Sequence, residues 1–377
     1  MPNTSFANSY SITNRAYPAT KSHDSKTLII PLPGSGLFYY SAKGNYNHDT
    51  SQYAPSSGGA FFSNLAADLQ QTVDATGRAN LVIMIHGLGN TYPDALQQAA
   101  SVGSYLQTVG YPGLVLGFSW PSYSYWVAPL VGYYATTRPP QAMAGTIRDN
   151  INGSVASFLA MLGQLQKIVV NGKPVNISVI SHSEGNFMLM WGMKSYPTNG
   201  PRLNHAILLA ADISAAMLQN GQAGAGITNN FSDVNVYFSG CDPDVTYSDY
   251  EFFAFHDPTY PTRLGLVGPF AYPAASGVPN NVAGIDCSQV TVNLGLISEV
   301  HGSYMWLYPV LTDVTSVLTG AKPTGRTLYP GSSSPSNYYL NPSQALNPGL
   351  AALWTGDMNI ASTPRVRRIS GIYVESM

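Results

Sequence analysis

Charge is what this chain has least of. Of its 377 residues, 17 are Lys or Arg and 19 are Asp or Glu, a charged fraction of 10%, against roughly a quarter in ordinary domains. The net charge of −2 gives no reason to expect a nucleic-acid partner or attraction to an anionic membrane. Cysteine is nearly absent. Cys241 and Cys287 are too few for a disulfide framework or a cysteine zinc site, although both fall at or in late strands, where one bridge is feasible. No apolar run approaches the roughly 18 residues of a membrane span, so no stable membrane insertion is expected. The opening Met-Pro-Asn-Thr-Ser has no basic stretch followed by an apolar one, so no signal peptide is visible. What the chain does have is 36 Gly, 27 Pro, 25 Tyr and a hydrophobic fraction of 45%. That is enough for a sizeable core, in a composition that resembles an exported protein.

One stretch organises the rest. Residues 175–180 are a short β-branched run of the kind that forms a buried strand. It leads into Ser181-His182-Ser183-Glu184-Gly185, then into a Met- and Leu-rich segment able to form a helix. A strand, a tight turn with serine at its tip, and a helix make a nucleophile elbow. The turn has to be sharp for the Ser183 hydroxyl to stand clear of the backbone. The residues two before and two after it have to be small, because strand and helix nearly touch there. They are Ser181 and Gly185, so the first departs from the usual Gly by one hydroxymethyl. On its own S-x-S-x-G is weak, since Ser and Gly also cluster in ordinary turns.

The surrounding pattern is one of alternation. Residues 81–85 form a continuous apolar run ending at His86-Gly87, as a central parallel strand would. Residues 113–120, 205–210, 234–239 and 285–292 read as further strands, and 27–31 with 36–42 as a hairpin-like start to the sheet. Helical spacing recurs at 61–73, 93–108, 141–167 and 304–318. Strands alternating with helices imply a doubly wound, mostly parallel sheet. Residues 1–26 read as an irregular arm, 27–320 as a single α/β domain, and 321–377 as an extension packing on it.

A serine nucleophile needs a base, an acid to orient the base, and two N–H donors for an oxyanion. In this architecture the chain order is serine, acid, histidine. Of the later histidines, His205 opens a strand at the wrong end and His256 lies in an aromatic loop. His301 follows the last strand and precedes the closing helix, which suits a base; a surface or capping histidine is the plainer reading. Asp242, the first carboxylate after the strand 234–239, suits the acid, with Asp212 and Asp244 as rivals. Asp242-Pro243-Asp244 is also a plausible helix cap. Asp242, Asp244 and Asp249 lack the glycine and distal glutamate of a calcium loop. The N–H of Glu184, at the start of the elbow helix, and that of Leu88, in His86-Gly87-Leu88-Gly89-Asn90, suit the two donors. His86 reads as a structural histidine. No metal or other cofactor is required.

The stretches at 85–90 (Ile-His-Gly-Leu-Gly-Asn), 118–122 (Phe-Ser-Trp-Pro-Ser), 180–186 (Ile-Ser-His-Ser-Glu-Gly-Asn), 210–213, 236–242 and 301–304 resemble a bacterial group of α/β-hydrolases. That group is catalogued as a domain of unknown function within the esterase/lipase superfamily. The resemblance covers roughly residues 80–305. It implies the α/β-hydrolase fold, a doubly wound, mostly parallel sheet with aromatic-rich loop insertions. It also implies the serine role for Ser183, the acid for Asp242 and the base for His301. The group usually carries Met after the serine, so Glu184 is a departure; its side chain either reaches the site, caps the helix or points to solvent.

Trp120, Tyr123, Tyr125 and Trp126 leave the carboxyl end of a strand, where such sheets bind ligands. With Tyr133, Tyr134 and the aromatics of 247–272 they suit a cleft for acyl or aryl esters, or else simply pack their loops onto the sheet. The expectation is a serine hydrolase of small-molecule or lipid-like esters, with no nucleic-acid partner. An amidase or acyltransferase would use the same triad, and a non-catalytic binding protein on this fold is the alternative of another class.

Overall fold

The computed structural model describes residues 5–15, 36–88, 90, 92–122, 141–246, 262–271, 277–291, 300–330 and 334–340, with the backbone alone for 141–149. At its centre is an 11-stranded sheet in the order β12-β13-β11-β10-β9-β8-β4-β5-β1-β2-β3. In chain order these are β1 Asn8–Thr13, β2 Phe38–Lys43, β3 Ala54–Ser56, β4 Asn80–Ile85 and β5 Leu114–Ser119. A separate two-stranded pair is β6 Val169–Val170 and β7 Lys173–Pro174. The main sheet continues with β8 Asn176–His182, β9 Leu203–Leu209, β10 Phe231–Phe238, β11 Val282–Asp286, β12 Arg326–Leu328 and β13 Asn337–Leu340. Every pairing from β13 through β1 is parallel. Antiparallel pairs finish both edges.

The parallel strands explain the unbroken apolar runs. β4 and β5 are buried at every residue, because helices cover both faces and neither face meets water. Each fully buried Val, Leu or Ile contributes about 1.5–3 kcal/mol relative to exposure. The helix Tyr92–Thr108 packs on β5 and against the helix Tyr308–Leu318, while Gln141–Leu165 packs against Gly185–Lys194.

Two expectations are corrected, and one open possibility is decided. Residues 8–13 are not part of an irregular arm; they form β1, buried throughout and paired on both sides. The strand escaped notice because its apolar face is only Tyr10 and Ile12. Several of its polar groups are hydrogen-bonded internally instead: Asp68 accepts hydrogen bonds from the backbone N–H groups of Ala7 and Asn8 and from the Tyr10 hydroxyl, and the Thr13 hydroxyl donates to the Ser119 carbonyl. The strand expected over 285–292 ends at Asp286 and gives way to the helix Ser288–Thr291, and β12 and β13 extend the sheet beyond it. Cys241 and Cys287 are both free thiols, the first exposed and the second buried, so no bridge joins them. The expected strand at 27–31 lies outside the described residues.

Candidate active site

β8 ends at His182, and the chain turns through Ser183 at φ 53°. A non-glycine residue held in the left-handed region carries strain of about 1–3 kcal/mol and persists only where its surroundings enforce it. Here they do. The Ser183 N–H donates to the Leu209 carbonyl at 3.0 Å, and the Asp212 N–H donates to the Ser183 carbonyl at 3.3 Å. Asn186, in the first turn of the helix Gly185–Lys194, donates through its amide to the carbonyls of Ser183 (2.9 Å), Leu209 (3.2 Å) and Ser181 (3.3 Å). The Ser181 hydroxyl donates to the Asn186 carbonyl oxygen at 2.6 Å. The hydroxymethyl that departs from glycine therefore orients the amide that holds the turn.

The demand for small residues is visible at two glycines. A Cβ on Gly185 would lie 2.7 Å from the carbonyl oxygens of Ile85 and His86. A Cβ on Gly87 would lie 2.8 Å from the Ser183 Cβ. The loop after β4 thus passes against the elbow.

That loop is held by residues with no evident catalytic signature. His86 is buried and donates from Nδ1 to the Gly87 carbonyl at 3.0 Å, while its Nε2 accepts the Trp120 backbone N–H at 3.1 Å. Burial first, then the nearby Arg15 charge, push His86 down to about 3, so it stays neutral. Arg15 follows β1 and donates to the Ser119 hydroxyl (2.8 Å) and the Asn90 carbonyl (2.8 Å), with its guanidinium 3.4 Å from His86 Nε2. Trp120 stacks on His86 with ring planes 10° apart and donates its indole N–H to the His86 carbonyl at 2.9 Å. Trp120 is 0% exposed, which corrects its expected place as a substrate contact: it supports the loop from within the core. Tyr123, Tyr125 and Trp126 lie outside the described residues, as do Tyr133, Tyr134 and most of the second aromatic segment. Phe270 of that segment packs on the core.

His301 is in the short helix Val300–Ser303. Its Nδ1 is 3.0 Å and 3.2 Å from the two carboxylate oxygens of Asp242. Of the three candidate acids, Asp242 is the one hydrogen-bonded to the imidazole. Asp242 is fully buried and also accepts the backbone N–H groups of Asp244 and Val245, so helix cap and histidine partner are the same carboxylate. Burial pushes the Asp242 carboxyl up, but His301 and these hydrogen bonds outweigh it and hold it below its usual range. For His301, burial favours the neutral form. The Asp242 charge and hydrogen bond, helped by Asp244 and Asp212, prevail and raise it to about 9. Burial raises the Asp244 carboxyl.

Two further residues join the elbow to its surroundings. His182 donates from Nε2 to the His301 carbonyl at 2.8 Å, with the two rings 4.7 Å apart. Burial, then the His301 charge, hold His182 at about 3. It pins the His301 segment to the residue preceding the serine. Asp212 forms an ion pair with Arg263 at 3.2 Å. Neither His182 nor Arg263 stood out in the sequence; only its adjacency to Ser183 marks His182. His205 pairs with Asp233 at 2.7 Å near the amino ends of β9 and β10, far along the strands from the elbow. Among the described residues no group of His, Cys, Asp and Glu is arranged to hold a metal ion, and no helix is long and apolar enough to cross a membrane.

Solved structures offer remote likenesses. The dienelactone hydrolase from Anabaena variabilis is 12% identical, with 61% of this chain and 85% of that chain covered and a TM-score of 0.29. The prolyl oligopeptidase B from Galerina marginata is 9% identical, with 81% and 31% covered and a TM-score of 0.24. No curated protein matches. The family model of alpha/beta hydrolases of unknown function, DUF900, matches residues 63–251, half of the chain, and that span holds β4, the elbow and Asp242. With the parallel sheet and the strained serine turn already in place, the chain belongs to this alpha/beta hydrolase family.

Proposed function

We propose that the protein hydrolyses carboxylic esters through an acyl-enzyme, with Ser183 as nucleophile, His301 as base and Asp242 as the acid that orients it. The observation that carries this reading is the Asp242–His301 hydrogen bond, tied through His182 to the strained turn that presents Ser183. Neutral His301 removes the hydroxyl proton as Ser183 attacks the ester carbonyl. The imidazolium formed is stabilised by Asp242, and it returns the proton to the leaving alkoxide. Water then attacks the acyl-enzyme by the same route in reverse. The backbone N–H of Leu88, in the loop that Gly87 allows to approach, and that of Glu184, at the start of the elbow helix, are the donors for the developing oxyanion in this reading. No Ser183–His301 hydrogen bond is present among the described residues; catalytic hydrogen bonds commonly tighten only when substrate arrives.

The test is hydrolysis of short- and long-chain p-nitrophenyl esters by wild type and Ser183→Ala. Turnover of at least one ester that falls by about 10³-fold or more in the variant is expected. Equal rates in both proteins would remove Ser183 from the chemistry.

A further inference from the structure

Glu184 stands where the resembling group usually has Met, and the structure excludes two of the simple explanations for it. The side chain does not point to solvent, since the residue is 5% exposed. It does not cap the helix it opens. Among the described residues its carboxyl makes no hydrogen bond. Among the described residues the charged groups acting on it are Asp212, in the turn after β9, and Arg263, just before the short helix Leu264–Val267. Asp212 and Arg263 are paired with each other, and both side chains are about nine-tenths buried. Backbone hydrogen bonds fasten their segments together: Ala215 donates to Thr262, Leu264 to Ile213, and Gly265 to Ala211.

We propose that Glu184 is a specificity-determining residue, selecting among esters that reach Ser183 those carrying an ammonium group near the scissile carbonyl. This rests on the reading of Ser183 as nucleophile. Among the described residues the cluster holds two carboxyls and one guanidinium, and the guanidinium is paired with Asp212. Among the described residues the second carboxyl has no cation of its own. An isolated buried carboxylate is costly, so the group keeps its proton. Burial first, then the like charge of Asp212, raise it to about 8, with Arg263 opposing. An entering ammonium supplies a countercharge: Glu184 releases its proton to solvent and its carboxylate pairs with the ammonium. An ester ending in a carboxylate gains no such partner, and it is repelled once Glu184 ionises.

Three p-nitrophenyl esters of matched length test this, ending in trimethylammonium, in its neutral tert-butyl isostere, and in carboxylate. They are compared on wild type, Glu184→Gln and Glu184→Met on either side of about pH 8. The wild type is expected to favour the cationic ester over the neutral one by about tenfold or more in kcat/KM, with the carboxylate ester poorest and the preference growing with pH. Both variants bring the ratio to about one at every pH. The neutral ester is each protein's own reference, so altered folding or His301 titration cancels from the ratio. A wild-type ratio near one, or a ratio that Glu184→Gln leaves unchanged, overturns the proposal. If no ester is turned over, the hydrolase reading fails separately, and calorimetry of butyltrimethylammonium binding in two buffers of different ionisation enthalpy decides the matter. Proton release on binding by wild type and not by Glu184→Gln supports the proposal; no binding, or binding without proton release, overturns it.

Discussion

Ser183 and His301 depend on their neighbours in opposite ways. The serine needs its backbone held against preference, and Asn186 with Ser181 does that. The imidazole needs its charge balanced, and Asp242 does that so well that His301 holds its proton to about 9. A base must be unprotonated to act. Activity limited by His301 therefore rises with pH and levels off only above about 9, rather than near neutrality. Replacing Asp242 by Asn removes the carboxylate but leaves the burial, which favours neutral imidazole. Asp242→Asn should move the midpoint downward and lower kcat/KM by about 10³–10⁴-fold. Asp212→Asn, acting on His301 only from a distance, should stay within about tenfold of wild type. A pH profile of kcat/KM for the three proteins checks this. Loss with Asp212→Asn alone would make Asp212 the acid.

At the scale of the element, the elbow was readable because it is local: strand, turn and helix are contiguous, and each has its own periodicity. The loop after β4 was readable for the same reason. The clamp on that loop was not, because it comes from a strand hidden by polar residues near the start of the chain. β1 positions Arg15, which bonds to Ser119 on β5 and to Asn90 on the loop after β4. No spacing within 1–26 signals those contacts; they exist only once the sheet is formed. Arg15→Met keeps most of the side-chain volume and removes the hydrogen bonds. If Arg15 fixes the loop that carries the Leu88 N–H, kcat should fall by roughly ten- to a hundredfold with KM little changed. Steady-state kinetics of the purified variant measure this, and an unchanged kcat in a folded protein would make Arg15 purely a strand anchor.

At the scale of the whole molecule, alternation of apolar runs and helical spacing was enough to establish the parallel sheet, since strands buried on both faces carry no competing polar pattern. The short strands β12 and β13 and the polar β1 are hard to read from sequence, because runs of three or four residues show no periodicity and β1 carries few apolar residues. The site reads from sequence as a set of roles, and chain order alone singled out His301. Asp242, Asp244 and Asp212 all fall at carboxyl ends of strands, so sequence alone does not rank them; in the fold it is Asp242 that hydrogen-bonds His301. The central claim is that this fold assembles residues from distant parts of the chain into one reactive serine. It is tested most directly by treating the native protein with a fluorophosphonate and locating the adduct by peptide mass spectrometry, in wild type and in His301→Gln. The proposed triad predicts one phosphonyl group, on Ser183, formed at least about a hundredfold more slowly without the imidazole. Labelling at another residue, or equal rates in both proteins, would contradict it.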